Sequence, residues 1–155
     1  MVRLVPMSTD RLGSWFSTMW SGYYHDLVGA GNTPGAARLN IERNKSALLV
    51  DGVPNSDQFV FDVLDGDVVV GALWLARRDG DGTPQEWFVY NIVIDEEFRG
   101  QGFGRATMQA ALDYVKAQGG RKLGLNVFGP NVVARHLYES MGFQTVSLQM
   151  QKEIS

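Results

Sequence analysis

The chain has 155 residues, 45% hydrophobic and 20% charged, which bounds the problem to one globular core rather than a disordered chain. Fourteen Lys and Arg stand against 17 Asp and Glu, a net charge of -3 and the wrong balance for general nucleic-acid binding. Without cysteine there are no disulfides, thiolate nucleophiles or Cys-ligated zinc. The two histidines, His25 and His136, are far apart with no H-E-x-x-H spacing, so no metal is expected.

The longest apolar stretch, residues 68–76, reads as a buried strand, far short of the ~18 residues that span a bilayer. The first ten residues lack the basic start and apolar run of a secretory signal, so no membrane association and a cytoplasmic location are expected. No repeat or long linker divides the chain, and residues 1–155 read as a single domain.

In chain order, residues 2–5 form a short strand. Ser8 then caps a helix carrying Leu12, Trp15, Phe16, Met19 and Tyr23 at three-to-four spacing, which Gly29 and Gly31 end. Thr33 caps a second helix with Pro34 at its first position, running to about residue 50. Residues 58–64 and 67–77 flank Asp65-Gly66, a dipeptide suited to the two central positions of a type I′ hairpin turn. A turn-rich segment over 79–84 precedes an aromatic and β-branched strand at 86–94. Helical spacing over 107–118 stops at Gly119-Gly120, and a strand follows at 123–128. Residues 130–141 are helical, with Gly142 where a left-handed C′ residue belongs, and a last strand is expected over 144–152. The order β-α-α-β-β-β-α-β-α-β predicts an α/β fold whose mixed β-sheet is flanked by helices.

Glycine makes up 18 of 155 residues, and six glycines crowd between Gly100 and Gly124. The segment Arg99-Gly100-Gln101-Gly102-Phe103-Gly104-Arg105 lies where a strand passes into a helix. There the unpaired NH groups of the first turn and the positive end of the dipole attract phosphate oxygens. A glycine-rich turn without a ligand has the same spacing. Neither a G-x-G-x-x-G fingerprint in either frame nor a G-x-x-x-x-G-K-[ST] loop is present.

This segment resembles the [QR]-x-x-G-x-[GA] motif of the GNAT superfamily of acyl-CoA-dependent N-acetyltransferases. Downstream, Asn131-Val-Val-Ala134-Arg-His-Leu-Tyr138-Glu-Ser-Met-Gly142-Phe143 resembles its N-x-x-A-x-x-L-Y-x-x-x-G-F signature. The resemblance covers residues 92–143 and implies the GNAT-like fold and acetyl-CoA as cosubstrate. It further implies that residues 99–105 wrap a pyrophosphate and that the backbone of Ile92, Val93 and Ile94 pairs with the pantetheine arm between splayed strands.

Asn131, Ala134 and Tyr138 share one helical face. Small Ala134 leaves room for the cofactor, while Asn131 can bond cofactor amides or cap its own helix. The resemblance implies that an amine attacks the thioester directly and that Tyr138 protonates the departing thiolate. The chain departs from the family at Phe88, where some members carry a Glu eleven positions before the motif. Glu86, two residues earlier on the same face, is the candidate base, with Asp26 and Glu42 as alternatives and a solvated strand-start residue as the structural reading. Tyr23, Tyr24, His25, Trp74, Asn126 and Phe128 are candidate acceptor-pocket residues, whereas Trp15, Trp20 and Trp87 are assigned to packing. Arg105 and Arg135 are candidates for the 3′-phosphate of coenzyme A, a solvated helix face serving either equally well.

The expected function is acetyl transfer to a small-molecule amine or a peptide amine. A non-catalytic acyl-CoA-binding module is the alternative, and transfer onto aminoacyl-tRNA is disfavoured by the acidic balance. A homodimer is an admissible state of the chain.

Overall fold

Alternating apolar residues in the middle of the sequence build the sheet on which everything else is hung. The computed structural model describes residues 1–50, 53–78 and 85–155. The turn segment expected at 79–84 lies outside them. Among the described residues the elements are β1 (Arg3–Pro6), α1 (Thr9–Gly29), α2 (Pro34–Leu48), β2 (Leu49–Val50), β3 (Val53–Pro54), β4 (Gln58–Asp65), β5 (Val68–Arg78), β6 (Glu86–Ile94), α3 (Phe103–Ala117), β7 (Lys122–Leu125) and α4 (Val132–Ser140). A 3₁₀ turn, Glu96–Phe98, precedes α3. The main sheet has the order β1-β4-β5-β6-β7, antiparallel except for the parallel pair β6 and β7, so the expected mixed α/β architecture is present. No described helix is long and apolar enough to cross a membrane.

The period-two pattern of the central strands divides their side chains between two cores. Phe61, Val63, Leu73, Leu75, Trp87 and Val89 pack with Met108, Ala111 and Val115 of α3. Val60, Ala72 and Trp74 face Phe16, Trp20 and Leu27 of α1 and Ala37 and Ile41 of α2. Asp62 also lies buried on β4 and takes an ion pair from Arg11 of α1 at 2.8 Å. Thr33 caps α2 by accepting from the Ala36 NH at 3.2 Å, whereas Ser8 has the extended backbone of a cap but no side-chain bond.

Several expectations are corrected. Asp65 pairs with Val68, so the two-residue hairpin loop is Gly66-Asp67, one residue later than read, with Gly66 supplying φ +61°. The second helix gives way to the small β2-β3 hairpin at Leu49. The strand expected over 123–128 ends at Leu125 because β6 bulges opposite. Trp74 pairs with Asn91 and Leu75 with Val89, leaving Tyr90 as the extra residue, and the ladder to β7 stops at Val89. The strand expected over 144–152 does not form; those residues are exposed and carry no ladder. Alternation can specify the faces of a strand, but a strand also needs an edge within reach.

Candidate functional site

β6 pairs with β7 only from Glu86 to Val89, while its other side stays bonded to β5 as far as Ile94. Residues 90–94 therefore present one backbone edge without a strand beside it, opening a split in the sheet. Gly71 permits the close approach of β5: a Cβ there would stand 2.1 Å from the Val93 carbonyl oxygen. Isolated glycine inside a strand pattern signals such an approach, and this was the available clue to a residue that sequence reasoning missed.

The split leads to the glycine turn. Arg99 donates from Nε to the Ile94 carbonyl at 2.9 Å and Gln101 from Nε2 to the Glu97 carbonyl at 3.4 Å, which folds the loop back on itself. Gly100 and Gly102 take φ +74° and +86°, and Cβ atoms built on either would meet nothing within 4 Å. Gly102 is the N-cap of α3 and has no side chain to cap with. The first helical NH with a partner is that of Ala106, bonded to the Gly102 carbonyl at 3.1 Å. Among the described residues the NH groups of Phe103, Gly104 and Arg105 have no hydrogen-bond partner at the positive end of a 15-residue helix. Gly102, Arg105 and Ala106 line a cleft of about 460 Å³ with Gln109, Ser140 and Met141. Such donors can hold an anion of the diphosphate class.

α4 closes the other side. Gly104 would place a Cβ 3.5 Å from Leu137, and Arg105 donates to Ser140 Oγ at 2.7 Å, so α3 and α4 touch directly. Asn131 accepts from the Ala134 NH at 3.3 Å, adopting the capping alternative. At the opposite end Gly142, φ +92°, ends the helix with a Schellman motif. Its NH bonds the Glu139 carbonyl and the Phe143 NH bonds the Tyr138 carbonyl, both at 3.0 Å. The accompanying apolar contact is Phe143 on Tyr138, ring centroids 5.8 Å apart, which fixes the phenol against the main core. Tyr138 is half-buried, and desolvation raises its pKa above the ordinary 10.0. Its hydroxyl bonds to none of the described residues.

Other candidates lie apart. Glu86 is exposed at the first position of β6, in register with Lys122 and Arg78. The bulge at Tyr90 lies four residues further along, about 13 Å at ordinary strand rise. Phe88 is half-buried beneath the Arg78 guanidinium, 3.6 Å from the ring centroid, and Arg78 also donates to the Tyr90 hydroxyl at 3.2 Å. Trp74 is corrected from pocket to core: it is 1% exposed and boxed in by Trp15, Phe16, Trp20 and Tyr90. Tyr23 and Tyr24 are half-buried, while His25, Asn126 and Phe128 are exposed. Asp26 lies close enough to Tyr23 to raise its pKa, secondary to desolvation, and Glu42 pairs with Lys45 at 3.6 Å. Arg135 donates to the Gly129 carbonyl at 3.3 Å.

Comparisons with known proteins give this geometry its family. The uncharacterized N-acetyltransferase YycN of Bacillus subtilis is 30% identical over 155 residues, covering 99% of each chain. Its crystal structure superposes with a TM-score of 0.90 over 100% of this chain and 99% of that one. N-alpha-acetyltransferase 30 of Schizosaccharomyces pombe is 33% identical over 86 residues, 56% of this chain and 57% of that protein. The fold is shared with AAC(6')-Iy in complex with the bisubstrate analogue CoA-S-monomethyl-acetylneamine, at 16% identity and TM-score 0.58, covering 100% of this chain and 99% of that chain. The sequence profile of the acetyltransferase (GNAT) family matches residues 15–143, and with the full-length similarity to YycN this establishes that the chain belongs to that family.

Proposed function

We propose that the chain moves an acetyl group from acetyl-CoA to a primary amine by direct attack in a ternary complex. The observation that carries the reading is the continuity of three unpaired features: the free edge at residues 90–94, the open glycine turn, and the unbonded NH groups of Phe103, Gly104 and Arg105. Bound acetyl-CoA would supply the activated thioester. Ile92, Val93 and Ile94 offer their backbone to the pantetheine arm as a strand offers its edge. Residues 99–105 take the pyrophosphate, with Arg99 and Gln101 holding the turn and Phe103 anchored against Phe98 at 6.3 Å. Charge-assisted bonds contribute roughly 1.5 to 3 kcal/mol each, so three of them suffice on a protein of net negative charge.

Asn131 and Ala134 hold the start of α4 in shape and leave space beside the arm. Tyr138 donates its proton to the leaving thiolate. A free thiol near pKa 8.5 and a phenol near 10 differ by about 2 kcal/mol, and the surroundings that raise the phenol raise the thiol too. Glu86 accepts the proton of the incoming ammonium through a water chain, which its place along β6 requires. The acceptor is a small-molecule or peptide amine, consistent with an N-alpha-acetyltransferase among the relatives and an acetylneamine analogue in a structural neighbour.

The test is release of free thiol from acetyl-CoA across a panel of amines and peptides; a protein without cysteine contributes no background. Release with at least one acceptor is expected. Thermal stabilisation by acetyl-CoA without release would instead favour the alternative, an acyl-CoA-binding module, and absence of any stabilisation would end both readings.

A further inference from the structure

The face of the sheet beneath α1 and α2 carries a fixed positive charge at the mouth of the split. Period two places Trp74 and Arg78 on one face of β5, and Glu86, Phe88 and Tyr90 on the adjoining face of β6. The Arg78 guanidinium lies 3.6 Å from the centroid of the Phe88 ring and 5.3 Å from that of Tyr90, and its Nη2 donates to the Tyr90 hydroxyl at 3.2 Å. The platform under it is itself held. The Phe88 and Tyr90 rings meet edge to face at 5.1 Å, and Tyr90 rests on Trp74, again at 5.1 Å, whose indole NH is bonded to Gln58. Gly124 of β7 completes it, since a Cβ there would stand 3.3 Å from the Phe88 ring. A side chain that ordinarily samples many rotamers is thus stacked in one place before any ligand arrives, which reduces the ordering cost of binding.

Arg78 is nevertheless exposed, and among the described residues its fork bonds only the Tyr90 hydroxyl. Glu86 stands opposite it in register but forms no ion pair with it among those residues. Tyr90 is also the bulge residue beyond which β6 loses its ladder to β7, so the guanidinium is tied to the residue at which the sheet opens. Where the family resemblance led to the expectation of an acid beside the acceptor, the chain presents Phe88 with a cation on it. An acceptor whose only charge is its ammonium is repelled there, whereas one that also carries an anion is drawn in and oriented.

We propose that Arg78 is a specificity-determining residue that binds a carboxylate on the acceptor, so that the preferred substrates are amino carboxylates rather than simple amines. A planar fork matches a planar carboxylate, and a single guanidinium with an acid opposite it in register suits a singly charged group. The proposal rests on the acetyl-transfer reading of the split and names the acceptor class that reading leaves open.

Amino carboxylates of increasing tether length, namely free glycine, β-alanine, γ-aminobutyrate and ε-aminocaproate, are each set against the corresponding primary amide. Binding is followed by ligand-observed magnetic resonance in the presence of coenzyme A, and transfer by release of thiol from acetyl-CoA. For at least one tether the carboxylate should bind, and Arg78→Gln should weaken it by about 10- to 150-fold, the equivalent of one charge-assisted bond, while leaving the amide unchanged. Comparison between proteins cancels intrinsic differences between the two amines. Arg78 is exposed, so the far-ultraviolet dichroism of the variant should match the parent. Lys122→Gln removes an equal charge from the exposed first position of β7 and should leave the preference intact. Equal losses in the two variants, no carboxylate bound at any tether, or a preference that survives Arg78→Gln overturns the proposal. Arg78-dependent carboxylate binding without thiol release from any amine would sink the transfer reading and leave the anion site standing.

Discussion

Gly102→Ala separates two things that glycine does at the entrance to α3. The first is conformational. Gly102 sits at φ +86°, where a side chain costs about 1 to 2 kcal/mol, and at about 2 to 4 °C per kcal/mol for a domain of this size the melting temperature should fall by about 2 to 8 °C. The second concerns space. The added Cβ meets nothing within 4 Å in the protein itself, so any steric effect must come from whatever approaches the NH groups of Phe103, Gly104 and Arg105. Displacing one charge-assisted bond of about 1.5 to 3 kcal/mol weakens binding by about 10- to 150-fold. Gly119→Ala is the matched control. Gly119 has φ +84° and equally empty surroundings, but lies past the far end of the same 15-residue helix, about 22 Å away. Both variants should lose similar thermal stability, and only Gly102→Ala should lose affinity for acetyl-CoA in titration calorimetry. Equal affinity losses in the two variants, or none in Gly102→Ala, would refute anion binding at this turn.

Other perturbations probe the remaining parts. Tyr138→Phe should lower kcat by about 100-fold or more with acetyl-CoA affinity retained, and in the unmutated protein the alkaline fall in rate should lie above the ordinary phenol value of 10.0, in the direction burial moves it. Unchanged turnover would remove Tyr138 from the chemistry. Gly71→Ala drives a Cβ to 2.1 Å from the Val93 carbonyl oxygen; calorimetric melting should show a loss of about 1 to 3 kcal/mol, with weaker acetyl-CoA binding as the free edge of β6 shifts. Glu86→Gln should abolish the acidic limb of the kcat/KM profile, and persistence of that limb would exclude this carboxylate as the base. Asp62 has its pKa raised above 3.8 by desolvation, against the lowering by Arg11 and with Asp95 adding to the rise. Its ionised form is therefore disfavoured in the fold, and its contribution declines as pH rises from about 4 through the folded pKa. Asp62→Asn should be neutral or stabilising near pH 7 relative to the parent, with the difference vanishing below about pH 4; a lower melting temperature at pH 7 would mean that the Arg11 pair outweighs burial.

The sheet and its helices were legible because each carries its instruction locally. Thr33-Pro34 starts α2 with a cap and a pre-set φ, Gly142 ends α4 in a left-handed residue, and the apolar run at residues 68–76 becomes the buried centre of β5. What failed depended on a partner distant in sequence. The hairpin turn moved by one residue because the register is set by pairing along β4 and β5, which carries its own irregularity after Val63. The bulge at Tyr90 left no mark in the alternation, yet it decides where the ladder to β7 ends and so where the sheet opens. The segment at 144–152 has the right pattern and no ladder, since pattern specifies faces and only a neighbouring edge supplies hydrogen bonds.

The same division runs through the candidate site. A group recognised by main-chain NH groups needs glycine at positions fixed by backbone geometry, so its signature survives as spacing, and Gly100, Gly102 and Gly104 stand where that spacing required. An acceptor recognised by side chains needs only that some residue reach the right place, which packing decides. Trp74 had the composition of a pocket residue and became the centre of an aromatic core, with Trp15, Phe16 and Trp20 against it and its indole NH bonded to Gln58 at 2.8 Å. Phe88, where the family resemblance led one to expect an acid, is capped by the Arg78 guanidinium, so on the proposed reading the base must come from elsewhere, as Glu86 does. On the proposed reading the cofactor is held by backbone and the acceptor by packed side chains, so substitution of the half-buried Tyr23 or Tyr24 of α1 should alter the preferred amine in a thiol-release panel while leaving acetyl-CoA affinity in calorimetry unchanged. An equal loss of that affinity would refute the division.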